Sequence, residues 1–182
     1  NGNNVGNPAY NTLNGSMNAG ASSSVNAFVL TRQDIAATTT GYIAPASVTS
    51  PNDFEAYARS LMMSDENIVK IASNDNQVSV WYREPARFLG VIPMTVTVQA
   101  MVDAGGNVTV NYPWWYGVFV KDEGTGQFQS DLNGTAGTIA RGEATTTLSS
   151  AAKARLVNAL QSVMKSKYQS TAATSSSETT TY

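Results

Sequence analysis

Apolar residues recur along this chain in two rhythms. Phe54, Tyr57, Ala58, Leu61 and Met62 fall at i, i+3, i+4, i+7 and i+8, the spacing that gives a helix one apolar face. Ser50 stands just ahead as a cap, Pro51 suits the first helical position, and Asp53 completes a capping box. A helix is therefore expected from Ser50 to the neighbourhood of Ser64–Asn67. A second stripe, Ala152, Leu156, Ala159, Leu160, Val163 and Met164, predicts a helix over residues 149–168. Lys165 and Lys167 lie near its end, where the helix dipole is negative.

Between these stripes the period drops to two. Residues 68–72 and 78–82 flank Ser73-Asn74-Asp75-Asn76 and read as a hairpin. Residues 94–102 alternate, with Val96, Val98, Ala100 and Val102 toward the core and Thr95, Thr97 and Gln99 outward. Asp103-Ala104-Gly105-Gly106-Asn107 is turn chemistry, after which Val108, Val110 and Tyr112 resume the buried face. Residues 121–147 are rich in Gly and Thr and read as loop, with a short strand near residues 138–140. The pattern as a whole predicts an α+β fold: an antiparallel sheet of four or five strands, with an N-terminal-side helix and a C-terminal helix packed on it. Its expected core includes Phe54, Tyr57, Leu61, Val80, Val96, Val98, Val110, Tyr112, Leu156, Leu160 and Val163. Long polar arms flank this domain, which divides the chain into an N-terminal arm (1–45), the α+β domain (46–168) and a Ser/Thr-rich tail (169–182).

One segment of the arm breaks its polar character. Val25-Asn26-Ala27-Phe28-Val29-Leu30 suits a strand, with Val25, Ala27 and Val29 on one side and Phe28 and Leu30 on the other. A strand apolar on both sides needs cover. Either Val25, Phe28, Val29 and Leu30 dock on a neighbouring subunit, or the strand joins its own sheet. Residues 1–24 hold turn formers and few apolar groups, so ordering them within the chain gains little against roughly 1–2 kcal/mol of backbone entropy per residue. Contacts between subunits are the expected role of the arm.

Composition narrows the chemistry. The 182 residues contain only 13% charged side chains, against roughly 25% in an ordinary soluble chain. The formal net charge is -2, so the chain lacks the basic surface that phosphate recognition needs and no nucleic-acid partner is expected. With no Cys and no His, thiol catalysis, imidazole acid–base catalysis, disulfides and the usual zinc sites are excluded. No apolar run reaches the roughly 18 residues of a spanning helix. The chain begins at Asn1 rather than Met, as either a processed mature protein or a fragment would, and its first fifty residues carry only Arg32 and Asp34 as charges; a setting outside the cytoplasm is expected.

The remaining chemical motifs are thin. Carboxylates adjoin at Asp53/Glu55, Asp65/Glu66 and Asp122/Glu123, but a glycosidase needs two facing carboxylates at a set gap. Ser-x-x-Lys occurs at Ser150/Lys153 and Ser162/Lys165 without the companion motifs of penicillin-recognising enzymes. Asp131-Leu132-Asn133-Gly134 resembles a calcium-loop fragment that lacks its later Glu. Gly124-Thr125-Gly126 is too short for a phosphate-binding fingerprint, and three Asn-x-Ser/Thr sites permit glycans without arguing for them. No catalytic residue, metal or cofactor is expected.

The large apolar side chains point elsewhere. Extending the pairing of Val102 with Val108 outward lays residues 88–94 beside residues 114–119, which gathers Phe88, Trp114, Trp115 and Tyr116 at one end of the sheet. Three readings are open. The two tryptophans divide between core and edge, or the cluster is a protein contact, or it is a sugar platform or lipid anchor with Arg83 and Arg87 as headgroup contacts. The expected function is a structural subunit of an extracellular or cell-envelope assembly, such as a filament, pilus-like fibre or coat. Copies of the chain would be its partners, joined by the arm and by apolar patches. The alternative is an envelope module binding glycan, lipid or protein through Trp114–Tyr116, with contact at a membrane surface rather than across it.

Overall fold

The computed structural model describes residues 27–35, 43–120, 125–142 and 146–177. Its centre is a five-stranded antiparallel sheet in sequence order, so each strand pairs with the next: β1 (Phe28–Thr31), β2 (Ile68–Ser73), β3 (Gln77–Phe88), β4 (Ile92–Asp103) and β5 (Val108–Asn111). The helices are α1 (Pro51–Ser64), α2 (Tyr116–Phe119), α3 (Thr125–Leu132), α4 (Thr138–Gly142) and α5 (Ser150–Ser177). This is the α+β architecture expected from the sequence.

The start of α1 is set by its capping box. The Ser50 hydroxyl accepts from the Asp53 backbone N–H, and the Asp53 carboxylate accepts from the Ser50 N–H at 2.9 Å. Phe54, Tyr57, Ala58, Leu61 and Met62 are all buried, as the stripe requires. They meet the inward rows of the sheet. One row runs straight across all five strands through Leu30, Ile71, Val80, Ala100 and Val110. Leu156, Leu160 and Met164 of α5 close the core, while Val110, Tyr112 and Val163 are half-buried at its margin.

Strand β1 joins its own sheet, the second of the two arrangements expected for it. Leu30 is buried in the inward row, and the Phe28 ring meets Phe54 edge-on at 5.4 Å. Those contacts extend two apolar rows already present, which is why the strand pairs here. Val29 points to the opposite side and is exposed, and Val25 lies outside the described residues. Beyond β1, Arg32 donates to the carbonyls of Ile68 and Asp65, and Arg59 donates to that of Asp34.

The segment expected as Gly/Thr-rich loop is helical where it is described. Phe128, Leu132, Ala136 and Ala140, spaced by four, are buried on one side of α3, a π-type turn (Asn133–Gly137) and α4. Glycine and threonine in between obscure this stripe in the sequence. The helices lie against the β5 edge: the Gln129 amide donates to the Val108 carbonyl, and Arg141 donates to that of Gly106. Glycine is required at this seam. Gly106 has φ +78°, and a Cβ there would stand 2.7 Å from the Gly137 oxygen.

Helix α5 continues well past Tyr168, so the backbone of residues 169–177 is helical. Among the described residues, no helix is long and apolar enough to cross a membrane.

Candidate interaction surface

Strand lengths create the surface. Strand β2 pairs with β3 only as far as Tyr82, and β5 pairs with β4 only from Gln99 to Val102. The pairs from Arg83–Thr97 to Phe88–Ile92 therefore leave the sheet as a two-stranded ribbon, roughly 20 Å long at the usual rise per residue. Its outward face carries Arg83, Pro85, Arg87, Thr95 and Thr97. The opposite face holds buried Glu84 and Ala86, with α5 behind it.

The ribbon turns at Leu89-Gly90. Both residues are left-handed, with φ +52° and +77°, and the Val91 N–H donates to the Phe88 carbonyl at 3.2 Å. Gly90 adopts this conformation freely. Leu89 does so at a cost of about 1 kcal/mol or more, and its side chain gains little burial in return.

Residues 114–119 reach the ribbon by another route than strand pairing. The ladder stops at Asn111, and Pro113, which has no N–H, follows. A turn with Tyr116 N–H donating to the Pro113 carbonyl then leads into α2. The chain regains contact at its far end, where Phe88 bridges to Val120, the Leu89 N–H donates to the Phe119 carbonyl at 2.7 Å, and the Phe88 and Phe119 rings lie 5.2 Å apart. The expected gathering of these aromatics is present, carried by a short helix instead of a strand.

Trp114, Trp115 and Tyr116 have different fates. Tyr116 is buried and stacks on Tyr112 at 4.4 Å, Trp115 is half-buried against the core, and Trp114 is 87% exposed. Leu89, Val91, Ile92 and Val118 are 62%, 71%, 55% and 72% exposed. Leu89, Val91 and Ile92 stand at the ribbon's turn, and Trp114 and Val118 on the segment that the Leu89–Phe119 hydrogen bond ties to it; these positions are the apolar end. Sequence reasoning placed Phe88 and the aromatics here but missed the exposure of the four aliphatic residues. The Leu-Gly pair inside an apolar run was the available turn signal.

Two buried polar clusters hold the elements behind this end. The Asp65 carboxylate accepts from Tyr82 Oη at 3.0 Å, Gln161 Nε2 at 2.7 Å and the Asn67 N–H at 3.1 Å, joining the end of α1 to β3 and α5. Burial, followed by the nearby Asp65 charge, pushes the Tyr82 phenol above its ordinary pKa. Nearer the ribbon, Lys167 Nζ lies 3.4 Å from the Glu84 carboxylate and donates to Tyr112 Oη at 2.9 Å. The same ammonium sits over the Phe128 ring at 4.5 Å. Lys70 lies over Trp81 at 4.3 Å.

The other motifs are placed where structural roles suffice. Glu55 pairs with Arg59 at 2.8 Å, and Asp131 accepts from Gln127 at 2.8 Å. Lys153 is buried on α5, and loss of hydration lowers its pKa while Asp75 partly opposes the shift. Ser162 and Lys165 are exposed. Asp122, Glu123 and Gly124 lie outside the described residues. Among the described residues, no three acidic side chains come together as a metal site would require. Comparison with family models, with curated proteins and with solved structures returns no match.

Proposed function

We propose that the chain is a structural subunit of an extracellular or cell-envelope assembly, a filament, pilus-like fibre or coat built from copies of itself. The observation that carries this reading is the apolar end. Leu89, Val91, Ile92, Trp114 and Val118 expose on the order of 600–700 Å² between them, given side-chain areas up to about 250 Å². Typical monomers show largest patches of about 300–600 Å², and such surfaces mark contacts. The extracellular setting rests on the low charge and the polar arms. In this reading the arm, residues 1–45, supplies further contacts, with exposed Val29 on edge strand β1 the described residue best placed to take part.

The exposure of Trp114 favours a second reading, an envelope module that stacks the indole on a glycan or seats it in a lipid interface. Sedimentation velocity separates the two. Assembly predicts reversible species heavier than 19.2 kDa, weakened at least tenfold by Trp114→Asp combined with Val118→Asp, at unchanged melting temperature. A variant that sediments like the parent chain would count against the assembly reading.

A further inference from the structure

Among the described residues, the strongly exposed large hydrophobic side chains are concentrated at the apolar end. Outside this end, the large exposed hydrophobic residues among the described ones are Val29, on the edge strand, and Met63, at the end of α1. They lie on different elements, β1 and α1, and Val29 points to the side of the sheet away from Leu30 and the core. A head-to-tail contact would need a second apolar surface of comparable size on the same chain. A contact of the end with itself needs only what is already there.

Four features of the end suit a self-contact. Its exposed area approaches the roughly 800 Å² per partner of a standard stable interface. Charge is sparse from Pro85 to Val120, where the charged residues are Arg87 and Asp103, with Asp103 at the opposite end of β4, before Lys121, Asp122 and Glu123 follow. Leu89, Val91, Ile92, Trp114 and Val118 themselves carry no charge, so covering these side chains strands none. Gly90 and Gly117 face open space, where an added Cβ would meet nothing within 4 Å, so a partner backbone can approach closely. Leucine at position 89 is also held in a left-handed conformation that Asn or Gly would adopt more easily. The fold accepts strain to present an apolar side chain at the tip.

We infer that two copies of the chain meet end to end about a two-fold axis, the Leu89–Ile92 tip and the Trp114–Val118 segment of one covering their counterparts on the other. This rests on the assembly reading and specifies its primary contact. A two-fold contact closes on itself. Growth beyond a dimer then falls to a separate surface, the role proposed for the N-terminal arm.

The absence of cysteine makes the test clean. Single cysteines are introduced by Val91→Cys and Gly117→Cys at exposed positions of the end, and by Thr109→Cys on the far side of the sheet as a control. Each full-length variant is treated with oxidant and with a short bismaleimide, while sedimentation reports association of the parent chain. The inference expects dimers from the two end cysteines at least tenfold in excess of those from Thr109→Cys. Association of the parent with no such excess overturns the two-fold contact and leaves the assembly reading standing. A parent that stays monomeric at every concentration overturns both. Monomer that binds phosphatidylglycerol vesicles, and loses binding in Val91→Asp, assigns the end to lipid and likewise overturns the inference.

Discussion

Lys167 on α5 lies 3.4 Å from Glu84 on β3, whose side chain is 4% exposed against 14% for Lys167. The pair ties the C-terminal helix to the base of the ribbon. Removing one partner leaves the other charge in a poorly solvated site, which typically costs about 3–5 kcal/mol. Lys167→Met should therefore destabilise the fold by about 3 kcal/mol in urea unfolding. Adding Glu84→Gln should recover at least about 1 kcal/mol of that loss, because the double variant strands no charge.

Tyr82 gives the chain a specific alkaline weakness. Its phenol donates to Asp65 and is raised above the ordinary value of 10.0. The folded state holds this proton more tightly than the unfolded state, so the contribution is complete below pH 10 and is lost as pH rises beyond it. At pH 8, Tyr82→Phe should cost about 1 kcal/mol, the worth of its hydrogen bond. At pH 11 the gap between parent and variant should narrow by about 1 kcal/mol, as denaturant midpoints will show.

The seam between the β4–β5 turn and α4 depends on Gly106. A methyl group there would lie 2.6 Å from Arg141 Cγ and 2.7 Å from the Gly137 oxygen, on a backbone with φ +78°. Gly106→Ala should lower stability by about 2–4 kcal/mol. Hydrogen exchange should show the loss concentrated in α3, α4 and β5.

Leu89→Asn separates stability from association. It places Asn-Gly at two successive left-handed positions, the preferred pair for such a turn, and removes an exposed apolar side chain. Thermal unfolding should show a gain of about 0.5–1 kcal/mol. Sedimentation should show weaker association in the same variant. A stabilised variant that associates as strongly as the parent would remove Leu89 from the contact.

The fold was legible wherever one local rule met one burial pattern. The Ser50–Asp53 box and the Phe54–Met62 stripe fixed α1, and alternation from Val96 to Val102 fixed the inward face of β4. Helices α3 and α4 were hidden because Gly134, Gly137 and Thr138 suggest loop, while tertiary packing of Phe128, Leu132, Ala136 and Ala140 selects helix. The site was legible in part. Hydrophobicity gathered Phe88 and the tryptophans, but hydropathy alone does not distinguish exposed Val91 and Ile92 from buried Val96 and Val98, and the Leu89-Gly90 pair was the one signal of a turn beside them. That difference arises because Val91 and Ile92 lie at the ribbon's turn, whereas Val96 and Val98 lie on its inward face nearer the sheet.

Light scattering of the intact chain over a hundredfold range of concentration tests the central claim most directly. The account predicts a mass that rises from 19.2 kDa toward at least twice that value, and a rise suppressed by Val91→Asp. A mass of 19.2 kDa at every concentration would contradict it.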